Sequence, residues 1–158
     1  MQTTRQTDVG QLVGTLAYMS PEQVLGDPLG IDIRSDVYAL GVILFELLAG
    51  RLPYQNSRQL PEALHTIREE DPARLSSVSR TYRGDLDTIV GKALEKDKAR
   101  RYASAADLAA DIQRYLRYEP ITARPPSTTY QLRKLHVAIE ACRGHCSGFV
   151  GARRGHYC

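Results

Sequence analysis

Hydrophobic positions in this 158-residue chain recur at helical spacing, and no segment alternates as a strand would. The clearest element spans about residues 34–49, where apolar side chains cover almost the whole predicted helix surface. Ser35 or Asp32 is predicted to cap its start, and Gly50 to close it. A helix that is apolar all round must be buried or lie in a membrane. This one is too short for a membrane and carries Glu46, so we expect burial on every side.

Four weaker helical patterns surround this central element. They are a short helix starting at Pro21 after Ser20, an amphipathic helix over about residues 58–69, a helix capped by Asp85 and a helix capped by Ser104. Residues 70–83 are predicted to be irregular. The pattern as a whole predicts a mainly α fold.

Composition narrows the class of protein only slightly. Apolar residues make up 42% and the net charge is +3, which gives no reason to expect nucleic-acid binding. No run of 18 apolar residues is present, so no membrane span is predicted in this chain, and no signal-peptide pattern opens it. Cysteines occur only at Cys142, Cys146 and Cys158, which favours a reducing, cytoplasmic compartment for the folded part.

Two short motifs indicate a family. Residues 14–22 read Gly-Thr-Leu-Ala-Tyr-Met-Ser-Pro-Glu, and residues 36–41 read Asp-Val-Tyr-Ala-Leu-Gly. They resemble the end of the activation segment and the central helix of the bacterial, eukaryotic-like serine/threonine protein kinases. The resemblance extends over roughly residues 7–116. It implies the helical C-terminal lobe of the protein-kinase-like fold, in an incomplete form.

The motifs that carry phosphoryl transfer are missing from these residues. There is no Gly-rich phosphate loop, no strand lysine, no catalytic-loop His-Arg-Asp and no metal-binding Asp-Phe-Gly. The resemblance therefore implies that ATP and magnesium belong to the complete parent kinase and that this fragment binds neither. We expect the chain alone to be catalytically inactive, with no catalytic residue of its own.

The resemblance also assigns roles to individual positions. The substrate-binding loop would consist of Gly14, Thr15, Leu16, Ala17 and Tyr18, with Thr15 hydrogen-bonded to the missing catalytic aspartate and lysine. Structural positions of the family would be Glu22, Asp36, Gly41 and Arg101.

Among the structural positions, the acidic and basic residues carry specific expectations. Glu22 and Arg101 are expected to form a buried, bidentate ion pair. Lys98 replaces the proline of the family's Lys-Asp-Pro-x-x-Arg pattern, which leaves Arg100 as an alternative partner. Asp36 would bind backbone N–H groups of the catalytic loop. Without that loop it would be a charge near an apolar core, unless it is a simple helix cap.

Residues outside the lobe allow weaker inferences. Thr3, Thr4 and Thr7 lie where relatives are phosphorylated, although any loop contains threonines. We divide the chain into an activation-loop remnant (1–13), a partial lobe (14–118), a proline-containing, juxtamembrane-like linker (119–134) and a Gly/Arg/Cys/His-rich tail (135–158). The tail is interpreted as disordered or as the product of a reading-frame shift near Leu135. Its Cys and His spacing does not match a zinc site, so no metal site is predicted.

Three functional hypotheses remain open on the sequence. The chain is a fragment of a serine/threonine kinase, a stand-alone module that docks substrates or partners, or a gene remnant. Expected partners are protein substrates or a covering kinase segment, and the parent kinase would be cytoplasmic or anchored in the inner membrane. Four or five apolar side chains of the central helix left uncovered would forfeit roughly 6–15 kcal/mol, so marginal stability is expected.

Overall fold

A computed structural model describes residues 16–26, 30–54, 60–125, 127, 129–132, 134 and 139. Among these residues there are helices and turns but no strand, which confirms the mainly α prediction. The helices are α1 (Pro21–Leu25), α2 (Ile33–Ala49), α3 (Leu60–Glu69), α4 (Leu75–Val78), α5 (Asp85–Ala93) and α6 (Ala105–Leu116), with 3-10 turns at Arg80–Tyr82 and Lys98–Arg100. The chain forms two compact units, Met1–Ala109 and Ala110–Cys158.

The central helix α2 begins and ends close to its predicted limits. Asp32 is the cap, because its side chain accepts a hydrogen bond from the Arg34 backbone N–H at 2.8 Å. Gly50 closes the helix with φ of 67°, a left-handed conformation that glycine adopts without strain, and its N–H donates to the Glu46 carbonyl. Ser35, the alternative cap, lies inside the helix, and its hydroxyl donates a hydrogen bond to Glu22.

One face of α2 forms the core of the first unit. Tyr38, Val42 and Phe45 are fully buried there and cluster with Leu75, Val90 and Leu94 from α4 and the α5 region. Gly41 brings α2 and α5 close together, because a Cβ atom at this position would lie 2.8 Å from the Ala93 Cβ. The predicted structural importance of a glycine here has this physical basis.

The opposite face of α2 is exposed, and the expectation of burial on every side is wrong. Leu40, Ile43 and Leu47 are 41%, 42% and 78% exposed, and they lie on one stripe with Asp36, which is also exposed. The described part of the chain covers only one face of the helix. Asp36 is therefore open to water, and the predicted cost of a charge held near an apolar core does not arise.

Two local predictions need correction. Residues 70–83 are irregular only in part, since they contain α4 and a 3-10 turn. The 3-10 turn is fixed to α2, where the Tyr82 hydroxyl donates to the Leu48 carbonyl at 2.6 Å. Asp85 is the first residue of α5 and Gly84 is its cap, with φ of 110°. No local pattern predicts α4, because the side chain that holds it comes from Asp87, eleven residues after Ser76. The Asp87 carboxylate accepts bonds from the Ser76 N–H and hydroxyl.

The second unit contains the end of α6 and the residues that follow it. Ser104 caps α6 as predicted, accepting a bond from the Asp107 N–H at 3.2 Å. Residues 119–125, predicted as the start of a linker, are hydrogen-bonded to α6 through Asp111. None of the described helices is long and apolar enough to cross a membrane. The tail from residue 140 onward lies outside the description, as do its cysteines.

Candidate functional site

The candidate substrate-binding loop is described from its third residue onward. Leu16 is buried, at 7% exposure, while Ala17 and Tyr18 are partly buried. A turn fixes this stretch, because the Met19 N–H donates to the Leu16 carbonyl at 3.0 Å. Gly14 and Thr15 lie outside the described residues, as do the candidate phosphorylation sites Thr3, Thr4 and Thr7.

A capping interaction leads the loop into α1. The Gln23 side-chain oxygen accepts a hydrogen bond from the Ser20 N–H at 2.9 Å, and Ser20 is fully buried. Pro21 occupies the first helical position, where its missing N–H has no consequence. The cap thus orients Glu22, the last residue of the Ser-Pro-Glu sequence, toward the interior of the lobe.

The loop is also tied directly to the central helix. The Tyr18 hydroxyl donates to a Glu46 carboxylate oxygen at 2.7 Å, and this hydrogen bond raises the pKa of Tyr18. Sequence reasoning noted Glu46 only as a charge that argued against a membrane span. The signal was available, since a carboxylate in an apolar helix needs a polar partner or solvent.

Glu22 and Arg101 form a buried, bidentate pair. Both guanidinium Nη atoms lie 2.7 Å from the two carboxylate oxygens, and the Arg101 side chain has no exposed surface. The remaining donors are used as well, because Arg101 also bonds the carbonyls of Glu95, Lys96 and Arg34. With five N–H donors on the guanidinium, the group is fully satisfied. This removes the penalty for a buried unpaired charge.

The charge on Glu22 is strongly favoured. Burial raises the pKa of its carboxyl, but hydrogen bonds from Arg101 and from the Ser35 hydroxyl outweigh this and lower its pKa to about 2. The Ser35 bond is 2.7 Å long and links the first turn of α2 to α1. One glutamate therefore joins α1, the start of α2 and the chain after α5.

Arg101, and not Arg100, is the partner of Glu22. Arg100 lies 3.6 Å from Glu95 with its side chain 70% exposed, so it forms a surface contact of little energetic weight. Lys98, which stands in place of the family's proline, donates to the Gly30 carbonyl at 2.6 Å and lies 3.4 Å from Asp32. The substitution thus replaces a rigid residue with a contact to the loop before α2.

A row of polar groups continues from the ion pair into the core. The Arg101 guanidinium lies 4.9 Å from the Tyr38 ring centre, and the Tyr38 and Tyr54 hydroxyls are 2.7 Å apart. Lys96 then donates to the Tyr54 hydroxyl at 2.8 Å and to the Ile67 carbonyl of α3. Burial lowers the pKa of Lys96 to about 8 and raises that of Tyr54 to about 12. No local sequence pattern indicates this row, because its members are distant in the chain.

Metal-ligating side chains are dispersed among the described residues. No group of three or more His, Cys, Asp or Glu side chains among them is arranged to hold a metal ion. The Glu22 carboxylate is engaged by Arg101, and the Glu46 carboxylate by Tyr18.

A loop ending in Ser-Pro-Glu, fixed by a buried arginine to a central apolar helix, defines the class as the helical lobe of a protein kinase. The model of the protein kinase domain family matches residues 1–112, and the chain belongs to this family.

Relatives with individual names agree with this assignment. Serine/threonine-protein kinase PknB of Mycobacterium tuberculosis (strain ATCC 25618 / H37Rv) is 37% identical over 142 residues, covering 90% of this chain and 22% of that protein. PknB of Mycobacterium leprae is 40% identical over 112 residues, covering 71% and 18%. PksC of Streptomyces coelicolor is 38% identical over 118 residues, covering 75% and 20%. The chain spans about a fifth of the length of these relatives.

Proposed function

We propose that this chain forms the lower part of a serine/threonine kinase lobe, presents the substrate-binding end of the activation segment, and transfers no phosphate alone. The observation that carries the proposal is the buried Glu22–Arg101 pair. It fixes Glu22, four residues after Tyr18, so the described end of the loop is followed by a rigid anchor. The complete parent kinase would use ATP and magnesium to phosphorylate protein serine or threonine, on the cytoplasmic side of any membrane.

A second contact supports a substrate-facing role. The Tyr18–Glu46 hydrogen bond joins the loop to a helix whose other contacts are fixed by the core. Positioning of substrate needs groups whose own conformations are locked, because small displacements in the reacting geometry lower the rate strongly. The two anchors are Tyr18 at the end of the loop and Glu22 in α1, and they hold the chain on both sides of the Met19–Pro21 turn into the helix. Thr15 would complete the arrangement by contacting a catalytic aspartate supplied by the parent.

The exposed face of α2 supports the proposal that a covering segment of the kinase is a partner of this chain. Leu40, Ile43 and Leu47 together form an apolar stripe at helical spacing. Burying each of them would contribute about 1.5–3 kcal/mol, which is large against the stability of a domain. We assign this stripe to another part of the same kinase domain. The same observation also suits the alternative, a stand-alone lobe that docks a partner protein there.

A chimaeric kinase tests the main proposal. Residues 1–118 of this chain replace the aligned segment of the mycobacterial PknB kinase domain, and phosphate transfer to a protein substrate is measured with MgATP. We expect the chimaera to be active and the isolated 158-residue chain to show no activity above background. A chimaera that folds cooperatively, binds MgATP and has no activity would contradict a substrate-positioning role for these residues.

A matched pair of variants in the chimaera separates positioning from folding. Tyr18→Phe removes the hydroxyl that bonds Glu46 and keeps the ring. Tyr82→Phe removes a hydroxyl that bonds the Leu48 carbonyl, away from the loop. We expect the first to lower kcat/KM and the second to lower only the melting temperature. Equal effects of both variants on kcat/KM would indicate that Tyr18 is purely structural.

A further inference from the structure

The segment after α6 is held by a buried carboxylate. Asp111 has no exposed surface, and its Oδ1 accepts bonds from the Thr122 N–H at 2.7 Å and the Thr122 hydroxyl at 2.8 Å. Its Oδ2 accepts a bond from the Ala123 N–H at 2.8 Å. Hydrogen bonds to a charged acceptor are among the stronger ones in proteins. We call residues 119–125 the docked segment.

Other contacts in the same unit reinforce the docking. Ile121 is only 3% exposed, and its N–H donates to the Tyr130 hydroxyl at 3.1 Å. The Arg124 guanidinium lies 5.1 Å from the centre of the Tyr130 ring. Arg114, one turn after Asp111 on α6, contacts the same carboxylate at 3.0 Å. The path of the chain after α6 therefore depends on one buried negative charge.

Thr122 differs from the other contacts of this carboxylate because it is exposed and carries a reactive hydroxyl. Thr122 is exposed to solvent, while its Oγ1 lies within hydrogen-bonding distance of Asp111. A neutral hydroxyl donor stabilises the carboxylate. A phosphate at the same atom would carry about −1.5 to −2 charges and no donor at neutral pH.

We propose that Thr122 is a phosphorylation site and that its modification releases the docked segment from α6. Its Oγ1 would form a bond to the γ-phosphorus of a nucleoside triphosphate, the bond to the β-bridging oxygen would break, and the hydroxyl proton would pass to a base of the modifying kinase. The nucleoside diphosphate leaves. The product places a phosphate next to the buried Asp111 carboxylate, so two anions repel each other where a hydrogen bond existed before.

Arg114 decides between two physical outcomes. Its side chain is 38% exposed, so it can turn from Asp111 toward a phosphate. That movement would remove a cation from the buried carboxylate and weaken the docking further. If Arg114 instead bridged both anions, the segment would be held more firmly. The proposal commits to release, because the phosphate also removes the hydroxyl bond and prevents close approach of Thr122 to Asp111.

Hydrogen exchange on the full 158-residue chain tests the proposal. Phosphothreonine is installed at position 122, and exchange of the Thr122 and Ala123 amides, both bonded to Asp111, is followed by mass spectrometry. We expect these amides to exchange about tenfold faster or more, since a bond to a charged acceptor is lost and repulsion is added. Amides of α5 serve as the internal reference and are expected to keep their rates.

Two matched chains separate the charge from other effects. Thr122→Val removes the hydroxyl bond without adding charge, and we expect a smaller acceleration than phosphothreonine gives. Phosphothreonine at position 129 adds the same charge where the native hydroxyl bonds an exposed Ser127 hydroxyl in the same unit, at 2.8 Å. We expect less than about a twofold change there.

Several results would overturn the proposal. One is unchanged or slower amide exchange with phosphothreonine at position 122. A second is an equal acceleration from phosphothreonine at position 129, and a third is an acceleration no larger than that of Thr122→Val. A fourth is an equal acceleration of the α5 amides, which would indicate global unfolding. The proposal does not depend on the catalytic state of this chain, because the phosphate is installed directly.

Discussion

The two faces of α2 have similar hydrophobicity and opposite environments. Tyr38, Val42 and Phe45 on one face are fully buried, and the polar groups beside them are paired. Leu40, Ile43 and Leu47 on the other face are between 41% and 78% exposed. A side chain is buried only when a partner element covers it, so hydrophobicity alone does not assign a helix face to the core. The exposed face marks where the described residues lack a partner.

The buried face differs also in its polar chemistry. It ends at the Glu22–Arg101 pair, in which every guanidinium donor has an acceptor. The exposed face ends at Asp36, which water solvates. Disruption of the buried face should therefore be costly, whereas substitutions on the exposed face should change stability little. Five predictions examine this contrast.

The largest effect is expected from Arg101→Met, which leaves Glu22 buried without its cation. Loss of one partner of a buried pair typically costs about 3–5 kcal/mol of unfolding free energy. Urea denaturation followed by circular dichroism measures it. Arg100→Met is the matched control and is expected to change stability by less than about 0.5 kcal/mol. Adding Glu22→Leu to Arg101→Met should restore part of the loss, and a double variant less stable than Arg101→Met would contradict the burial argument.

Phe45→Ala compared with Leu47→Ala tests the two faces directly. Removal of the fully buried Phe45 ring is expected to cost about 3–5 kcal/mol, because it leaves a cavity in the core cluster. Leu47 is 78% exposed, so its truncation should cost less than about 0.5 kcal/mol. The midpoints of thermal unfolding give both values. Similar losses for the two variants would show that the Leu47 face is covered in solution.

The ion pair should also make stability depend on pH. The pKa of Glu22 falls from its ordinary 4.5 to about 2 on folding, so its contribution is complete above pH 4.5 and is lost as the pH falls toward 2. The loss is on the order of 3 kcal/mol, at about 1.4 kcal/mol for each pH unit by which the pKa is lowered. Urea midpoints measured from pH 6 to pH 2 report it. Glu22→Gln should show a shallower dependence over this range, and an unchanged slope would refute the assignment to Glu22.

The sequence predicts the buried face better than the exposed one, for a physical reason. Gly50, Ser104 and the Glu22–Arg101 pair were predictable because caps and the family motif are local or residue-specific signals. The exposure of Leu40 did not follow from the hydrophobic pattern, because it depends on which elements are present to cover it. Only the resemblance, which implies that covering elements are missing, led us to expect uncovered apolar side chains on this helix. The Lys96–Tyr54–Tyr38 row and α4 depend on contacts between distant segments, for which no short pattern exists.

Gly41→Ala tests how tightly the buried face is packed. The new methyl group would lie 2.8 Å from the Ala93 Cβ and 3.2 Å from a Leu94 methyl carbon, so α2 and α5 would have to separate. Overpacking of this kind costs about 1–3 kcal/mol. Thermal unfolding measures the change. Gly91→Ala is the control, because a Cβ there meets no atom within 4 Å. It is expected to be neutral or stabilising, by up to about 1 kcal/mol, as helical Gly→Ala changes often are. A destabilisation at Gly91 equal to that at Gly41 would remove the packing explanation.

The smallest effect on stability is expected from Leu47→Lys, which places a charge at the C-terminal end of the exposed stripe. The free energy of unfolding should change by less than about 0.5 kcal/mol, because the native side chain has little buried surface to lose. Self-association should nevertheless decrease, since a contiguous apolar stripe favours contact between copies and a charge interrupts it. Sedimentation velocity of both chains at matched concentrations measures this. A variant that stays monomeric and keeps its unfolding midpoint would identify the stripe as an exposed surface that promotes association. A variant that unfolds would instead show that this face is already covered by the chain itself.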